Sequence, residues 1–271
     1  MSQTLTDKEM KFLNKLEVTR KNKLVITSSE EPYDEENDLL SSKIAGVPYW
    51  PESKKDQFPT INGEDAKLVI QLNLTEMSQK FDLNHVSKYL PKTGILQFYF
   101  AYKDQIYGLY DDDKKPLVIY HAGISESSAL LTEEQINISL DNQGMPFDKS
   151  IKIDFKEDSE LLGPQDEFYQ EEFKDLFTGF DLDDEEFMTF YYEENDFSNQ
   201  GSKIGGYTYF TQSDPFVSLV PDDKLLLLLQ LDSDDELNMM WGDCGVANWR
   251  IFEKDLANLD FSNIVYNWDC G

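Results

Sequence analysis

One five-residue word recurs in this chain, and it constrains the fold more than anything in the composition. Ser42-Lys43-Ile44-Ala45-Gly46, followed by Tyr49-Trp50, returns about 160 residues later as Ser202-Lys203-Ile204-Gly205-Gly206, followed by Tyr209-Phe210. A second match keeps nearly the same offset. Lys67-Leu68-Val69-Ile70-Gln71-Leu72-Asn73 aligns with Leu226-Leu227-Leu228-Leu229-Gln230-Leu231-Asp232, an apolar run interrupted at the same place by glutamine. Each is followed by a polar segment and then a glycine-led run, Gly94–Phe100 in the first case and Gly245–Ile251 in the second. Self-similarity in one order over that distance predicts two diverged copies of one module, with halves at approximately 42–155 and 200–271.

The apolar runs are short and bounded by Gly, Pro, Asn and Asp, so they read as strands. Candidates are Lys23–Thr27, Lys67–Leu72, Ile95–Tyr102, Leu117–His121, Gln135–Leu140, Ser150–Phe155, Phe187–Tyr192, Leu225–Leu231, Val246–Phe252 and Ile264–Trp268. Helices are fewer. One is expected over 7–21, with Phe12, Leu13 and Leu16 on one face, and one over 165–177, starting after Pro164 and stopping before Gly179. A shorter helical turn is expected near Lys254–Leu259. Acidic stretches at Asp111–Asp113 and Asp181–Glu186 read as solvated loops, and Glu30–Asp38 as a flexible connection. With 271 residues, 40% hydrophobic, and no Pro/Gly/Ser-rich linker, the expectation is a single domain over 1–271. The expected fold class is α+β and strand-dominated: two copies of one β-rich module packed into a continuous core, with a few peripheral helices.

Taken in order, the motifs are Ser-Lys-Ile-x-Gly with Trp50-Pro51, Leu90-Pro91-Lys92-Thr93-Gly94, Gly205-Gly206-Tyr207 with Gln212-x-Asp214-Pro215, Leu228–Asp232, Trp241-Gly242-Asp243-x-Gly245, and Asp255-Leu256 before Asp260-Phe261-Ser262. As an ensemble they resemble the YwqG-like family of bacterial proteins, from about Ser42 to the C-terminus. The resemblance implies the duplicated module and brings no catalytic residue with it. Ala45 stands where that family tends to have glycine, and Thr208 where proline is usual after Tyr207. Cys244 and Cys270 do not look like shared features of the family.

The charge balance excludes several function classes. There are 24 basic against 53 acidic residues, a net −29. Such a field repels phosphate backbones and anionic lipid, so neither nucleic acid nor membrane is an expected partner; a basic protein is. Only Arg20 and Arg250 carry guanidinium groups, which argues against a phosphoryl-transfer site. The N-terminal stretch alternates charge with isolated apolar residues and does not read as a signal peptide, and no window reaches the roughly 18 apolar residues of a membrane span. With two cysteines, both read as free thiols, a disulfide framework is excluded and a cytoplasmic location is expected. No cofactor is implied.

Candidate binding residues follow from the repeat. Converging Ser-Lys-Ile-x-Gly loops would bring Lys43 and Lys203 into one inter-module cleft, with Gln212, Asp214, Trp241 and Asp243 around it. The competing reading gives the glycines to turns needing positive φ and leaves the lysines solvated or ion-paired. Gln71 and Gln230, inside apolar strands, read as hydrogen-bonded core amides. Asp232, Asp234 and Glu236 alternate, with Asp243 at the twelfth position, which invites a calcium-loop reading; Leu237 occupies the place that requires glycine, so these are weak metal candidates and solvated hairpin acids are expected. Functionally the chain reads as a non-enzymatic binding protein whose acidic face recognises a basic protein, such as a toxin domain that it neutralises. The alternative is a small-ligand-binding protein or enzyme using the inter-repeat cleft.

Overall fold

The computed structural model describes residues 6–101, 107, 115–125, 130–132, 141–163, 166, 169, 173–180, 185, 187, 189, 191, 197–216 and 224–271. Eleven strands among them form one strand-dominated, nearly closed, barrel-like antiparallel sheet. They are β1 (Lys21–Ser28), β2 (Lys43–Ile44), β3 (Thr60–Ile61), β4 (Glu64–Asn73), β5 (Ile95–Ala101), β6 (Leu117–His121), β7 (Ile151–Glu160), β8 (Lys203–Gly205), β9 (Leu225–Asp232), β10 (Val246–Phe252) and β11 (Ile264–Asp269).

The sheet order is palindromic. Outward from a central β1–β7 pair run β8-β9-β10-β11 on one side and β2-β4-β5-β6 on the other, with β3 paired to β4. The N-terminal strand β1 therefore joins the C-terminal limb, Val25 opposite Lys203, while β7 joins the N-terminal limb, Lys152 opposite Lys43. Both limbs carry a pairing irregularity at the same place. Val69 is skipped between Leu68 and Ile70 against β5, and Leu228 is skipped between Leu227 and Leu229 against β10. A skipped residue bends a strand and tightens its twist, which lets each limb curl toward the other.

The curled limbs close on a shared core. Phe98 and Phe100 of β5 meet Trp249 of β10 at ring-centroid distances of 5.7 and 5.8 Å, and Phe100 meets Tyr266 of β11 at 5.7 Å. Strand β5 is buried along its whole length because its other face is covered too, with Tyr99 packing against Phe58 and Ile61. A run buried on both faces reads as continuously apolar, as Ile95–Ala101 does.

Helices sit at the periphery. Helix α1 (Asp7–Leu16) opens on a reciprocal capping box between Thr6 and Glu9 and buries Phe12 and Leu16. It is shorter than the expected 7–21, since Glu17–Thr19 tighten into a 3₁₀ turn before β1 begins. Helices α2 (Leu74–Lys80) and α3 (Leu83–Val86), not foreseen, start at Asn73 and Asp82, whose side chains accept from the N–H groups of Glu76 and Asn84. Helix α4 (Glu253–Ala257) matches the expected turn closely.

Three other expectations change. Phe187, Thr189 and Tyr191 are helical instead of extended. Phe187 and Tyr191 stand four apart and both reach Phe12, at 4.8 and 5.1 Å; a helix stacks them one turn apart, whereas a strand would hold them about 13 Å apart. Of the expected helix at 165–177, Tyr169 is helical and Lys174–Phe177 form a 3₁₀ turn. The segment Glu30–Asp38, expected to be loose, is tied by Asp38 to the Asp34 N–H and by the Tyr33 hydroxyl to the Val47 N–H. Gln135–Leu140, Asp111–Asp113 and residues 181–184 and 186 lie outside the described residues.

Gly205 has φ +74°, and an added Cβ would overlap Val86 Cγ1; Gly201 has φ +89° with open space around it. Gly205→Ala is expected to lose about 2 kcal/mol or more of stability and Gly201→Ala about 1 kcal/mol, read as urea midpoints at constant m-value.

Candidate functional site

The repeated words build two matching clamps. In each, a strand lysine points back into the loop that leads to it: Lys43 Nζ donates to the carbonyls of Asp38 (2.6 Å) and Leu39 (3.1 Å), and Lys203 Nζ to that of Asn199 (2.6 Å). The glutamine opposite completes the clamp. Gln71 Nε2 donates to Leu39 and Ser41 carbonyls while its Oε1 accepts the Tyr49 N–H. Gln230 Nε2 donates to Asn199 and Gly201 carbonyls while its Oε1 accepts the Tyr209 N–H. Ser42 and Ser202 hydroxyls accept the N–H groups of Asn73 and Asp232. Gln97 and Asn248, on the next strands, donate to the Tyr49 and Tyr209 carbonyls. Beyond each lysine the chain turns through two positive-φ residues, Ala45 (56°) and Gly46 (77°), or Gly205 (74°) and Gly206 (79°).

Lys43 and Lys203 do not share a cleft, contrary to the convergent reading. Strands β7 and β1 lie between β2 and β8, so three inter-strand steps of about 4.8 Å separate the two clamps. Nor are the lysines solvated: they are 0% and 1% exposed. The reason is that buried loop carbonyls take the place of water around each ammonium, the same carbonyls that the Ser41 N–H and the Gln71 and Gln230 amides also reach. Burial drives Lys43 down to about 7 against the pull of Asp38, and drives Lys203 down to about 8 against Glu160.

Glu160, which carried no sequence signal, is the hub of the second clamp. Its buried carboxylate accepts from Lys203 (2.7 and 2.9 Å), Lys23 (2.9 Å) and the Tyr207 N–H (2.6 Å). Burial pushes the carboxyl up, but Lys203 and Lys23 together hold it below the ordinary glutamate value. Asp166 is likewise buried, accepting from Thr208 and Tyr169 N–H groups, with its carboxyl pushed up by burial. His121 is buried in the first limb: its Nε2 meets Gln97 Oε1 at 2.9 Å, Tyr49 and Trp50 meet it edge-on, and burial takes its imidazole down to about 4.

The remaining sequence candidates scatter. Asp214 forms a buried two-pronged pair with Arg250 (2.8 and 2.9 Å), whose guanidinium lies over Phe210 and Phe216. Gln212 braces the end of β11 through Asp269 and the Cys270 carbonyl. Trp241 is core, packed on Phe100, Trp249 and Trp268, while Asp243 is exposed. Asp232 accepts the Gly201 N–H, Asp234 accepts those of Glu236 and Leu237, and Glu236 is exposed. Among the described residues no three His, Cys, Asp or Glu side chains are placed to hold a metal ion.

A surface recess of about 420 Å³ lies between β7, α2 and the loop after β1. Glu30, Glu31, Glu76 and Asp154 face Lys80 and Lys152 across it. Both lysines are engaged, Lys152 with Glu31 at 2.6 Å and Lys80 with Asp154 at 3.7 Å, which leaves the recess net acidic. Glu76, shielded by the wall, has its carboxyl pushed up.

The family model described as Domain of unknown function (DUF1963) matches residues 42–270, from the first clamp to the end of β11. This chain belongs to the DUF1963 family. No curated protein matches the chain. The DUF1963 span holds Lys43, Gln71, Lys203 and Gln230 of the two clamps, whereas β1, which pairs with both β7 and β8 at the sheet centre, precedes the span. No helix among the described residues of this DUF1963 protein is long and apolar enough to cross a membrane.

Lys43 binds its proton less tightly in the folded DUF1963 chain, about 7 against 10.5, so across that window the unfolded chain carries more protons. Folding stability should therefore rise from about pH 7 to about pH 9, and Lys43→Met should flatten the rise in urea midpoints. Glu160→Gln removes the counter-charge of Lys203, with an expected loss of about 3 kcal/mol at neutral pH; a loss under about 1 kcal/mol would show the pair contributes little.

Proposed function

We propose that the chain is a non-enzymatic cytoplasmic binding protein whose acidic surface recognises a basic protein, a cationic toxin domain being one such partner. The observation that carries this reading is where the charge lies. Lys43, Lys67, Lys203 and Arg250 are buried together with as many acids, Asp38, Glu160, Asp166 and Asp214, so the described interior is balanced in charge and the acidic excess lies outside it. The acidic recess is the natural seat for a lysine or arginine side chain. Its own ammonium groups are already paired, and Met77, Phe81 and Phe155 supply apolar wall for an aliphatic stem.

The same reading takes the fold as a duplication in which the first strands of the two copies, β1 and β7, are exchanged between limbs. The palindromic strand order, the two clamps and the matching skipped residues support it. The motif set supports assignment to the YwqG-like members of the family.

Electrostatic recognition of this kind is steered by charge and weakens with salt. A fluorescently labelled lysine- and arginine-rich peptide should bind at low ionic strength and be released at high ionic strength, and Glu30→Lys with Glu76→Lys should weaken binding about tenfold. Equal binding by the charge-reversed variant would remove the recess as the site. Failure of lysate pull-downs at both ionic strengths to retain any basic protein would count against the function itself.

A further inference from the structure

Lys43 and Lys203 share no cleft, yet the two limbs meet at a recess elsewhere, of about 200 Å³. Val86 and Leu90, from the stretch between β4 and β5, line it from one limb; Ile204 of β8, Leu226–Leu228 of β9 and Leu256 of α4 line it from the other. Bare backbone at Gly205 lets α3 close on β8. A Cβ there would stand 2.4 Å from Val86 Cγ1, and φ +74° suits glycine alone at that place.

Charge sets this recess apart. Its charged lining is Lys21, Lys88 and Glu253, two cations against one acid, in a chain with 24 bases against 53 acids. The recess beside α2 has the reverse balance, and the two share no lining residue. Lys21 is positioned by two buried rings, its Nζ standing 3.1 Å from the centroid of Tyr169 and 4.0 Å from that of Tyr207. The rings are themselves fixed. They meet edge-on at 5.3 Å, and their hydroxyls donate to the Leu225 and Thr19 carbonyls. Ring faces attract an ammonium without cancelling its unit charge, so the group stays both placed and cationic. Asp166 also feels Lys21 but does not line the recess, and its carboxylate is taken by the Thr208 and Tyr169 N–H groups.

A placed ammonium at the rim of an aliphatic pocket complements a molecule with a carboxylate at one end and hydrocarbon at the other. Size limits that molecule: at about 30 Å³ for each water-sized group, the space holds roughly seven non-hydrogen atoms. We propose that this recess binds a short aliphatic monocarboxylate of about five or six carbons, its carboxylate meeting Lys21 and Lys88 and its chain lying along Val86, Leu226 and Leu256. The site is separate from the acidic recess, and its occupation requires no protein partner.

Equilibrium dialysis of radiolabelled hexanoate against the purified full chain tests this. One saturable site is expected, with slowed amide hydrogen exchange at residues 83–90, 203–206 and 253–257. Unlabelled hexanoate should displace the label, whereas hexylamine, which lacks the anion, and acetate, which lacks the chain, should not. Lys88→Glu, at an exposed side chain, should weaken binding about fivefold or more. Lys21→Met, which keeps an apolar stem against the rings, should do the same; if it folds poorly, Lys88→Glu decides alone. Absence of saturable hexanoate binding, displacement by hexylamine as effective as by hexanoate, or unchanged affinity in Lys88→Glu would overturn the proposal.

Discussion

Everything in this sheet depends on satisfying backbone groups at the two places where it is thinnest. Strands β2 and β8, two and three residues long, join each limb to the central β1–β7 pair. So few residues cannot hold a junction by ladder bonds alone. A buried amide on the neighbouring strand does the rest, with Gln71 and Gln230 each gripping two loop carbonyls and one N–H. Buried peptide groups left without partners cost about 1–3 kcal/mol each, so these side chains hold the loops to one geometry.

The same need explains why lysine stands at both junctions. An ammonium offers three donors at the end of a flexible stem, and loop carbonyls converging on one point can be met by such a group and by few others. The first clamp leaves its cation among carbonyls with Asp38 nearby, and its proton is accordingly held loosely. The second clamp adds Glu160, which binds Lys203 and Lys23 together and also takes the Tyr207 N–H. One backbone solution is thus wired with two different electrostatic arrangements. With Arg250 locked to Asp214, these internal pairings withdraw carboxylates and cations alike and leave the acidic excess of the surface unchanged.

Much of the architecture was legible because its signals are local and repeated. The alternating or continuous apolar runs at β1, β4, β5, β6, β9, β10 and β11 gave strand positions within a few residues, since a pleated strand imposes its own period. Strand β7 was seen only over its first half, because its second half, Lys156-Glu157-Asp158, faces solvent and has no apolar signal. Phe187–Tyr192 misled because aromatic residues favour strands in isolation, while the contact that decides the matter, Phe12 on α1, comes from the other end of the chain.

By itself, then, the sequence determined the acidity, the strand-rich composition, the glycine turns and the recurrence of Lys and Gln at equivalent places. Tertiary structure alone decided that the two lysines lie three strands apart, that β1 crosses to the far limb, and that Glu160 joins Lys23 and Lys203. The division has a physical cause. Strand period and turn chemistry act between near neighbours along the chain, whereas pairing order and the neutralisation of a buried charge depend on partners that meet only once the sheet has closed.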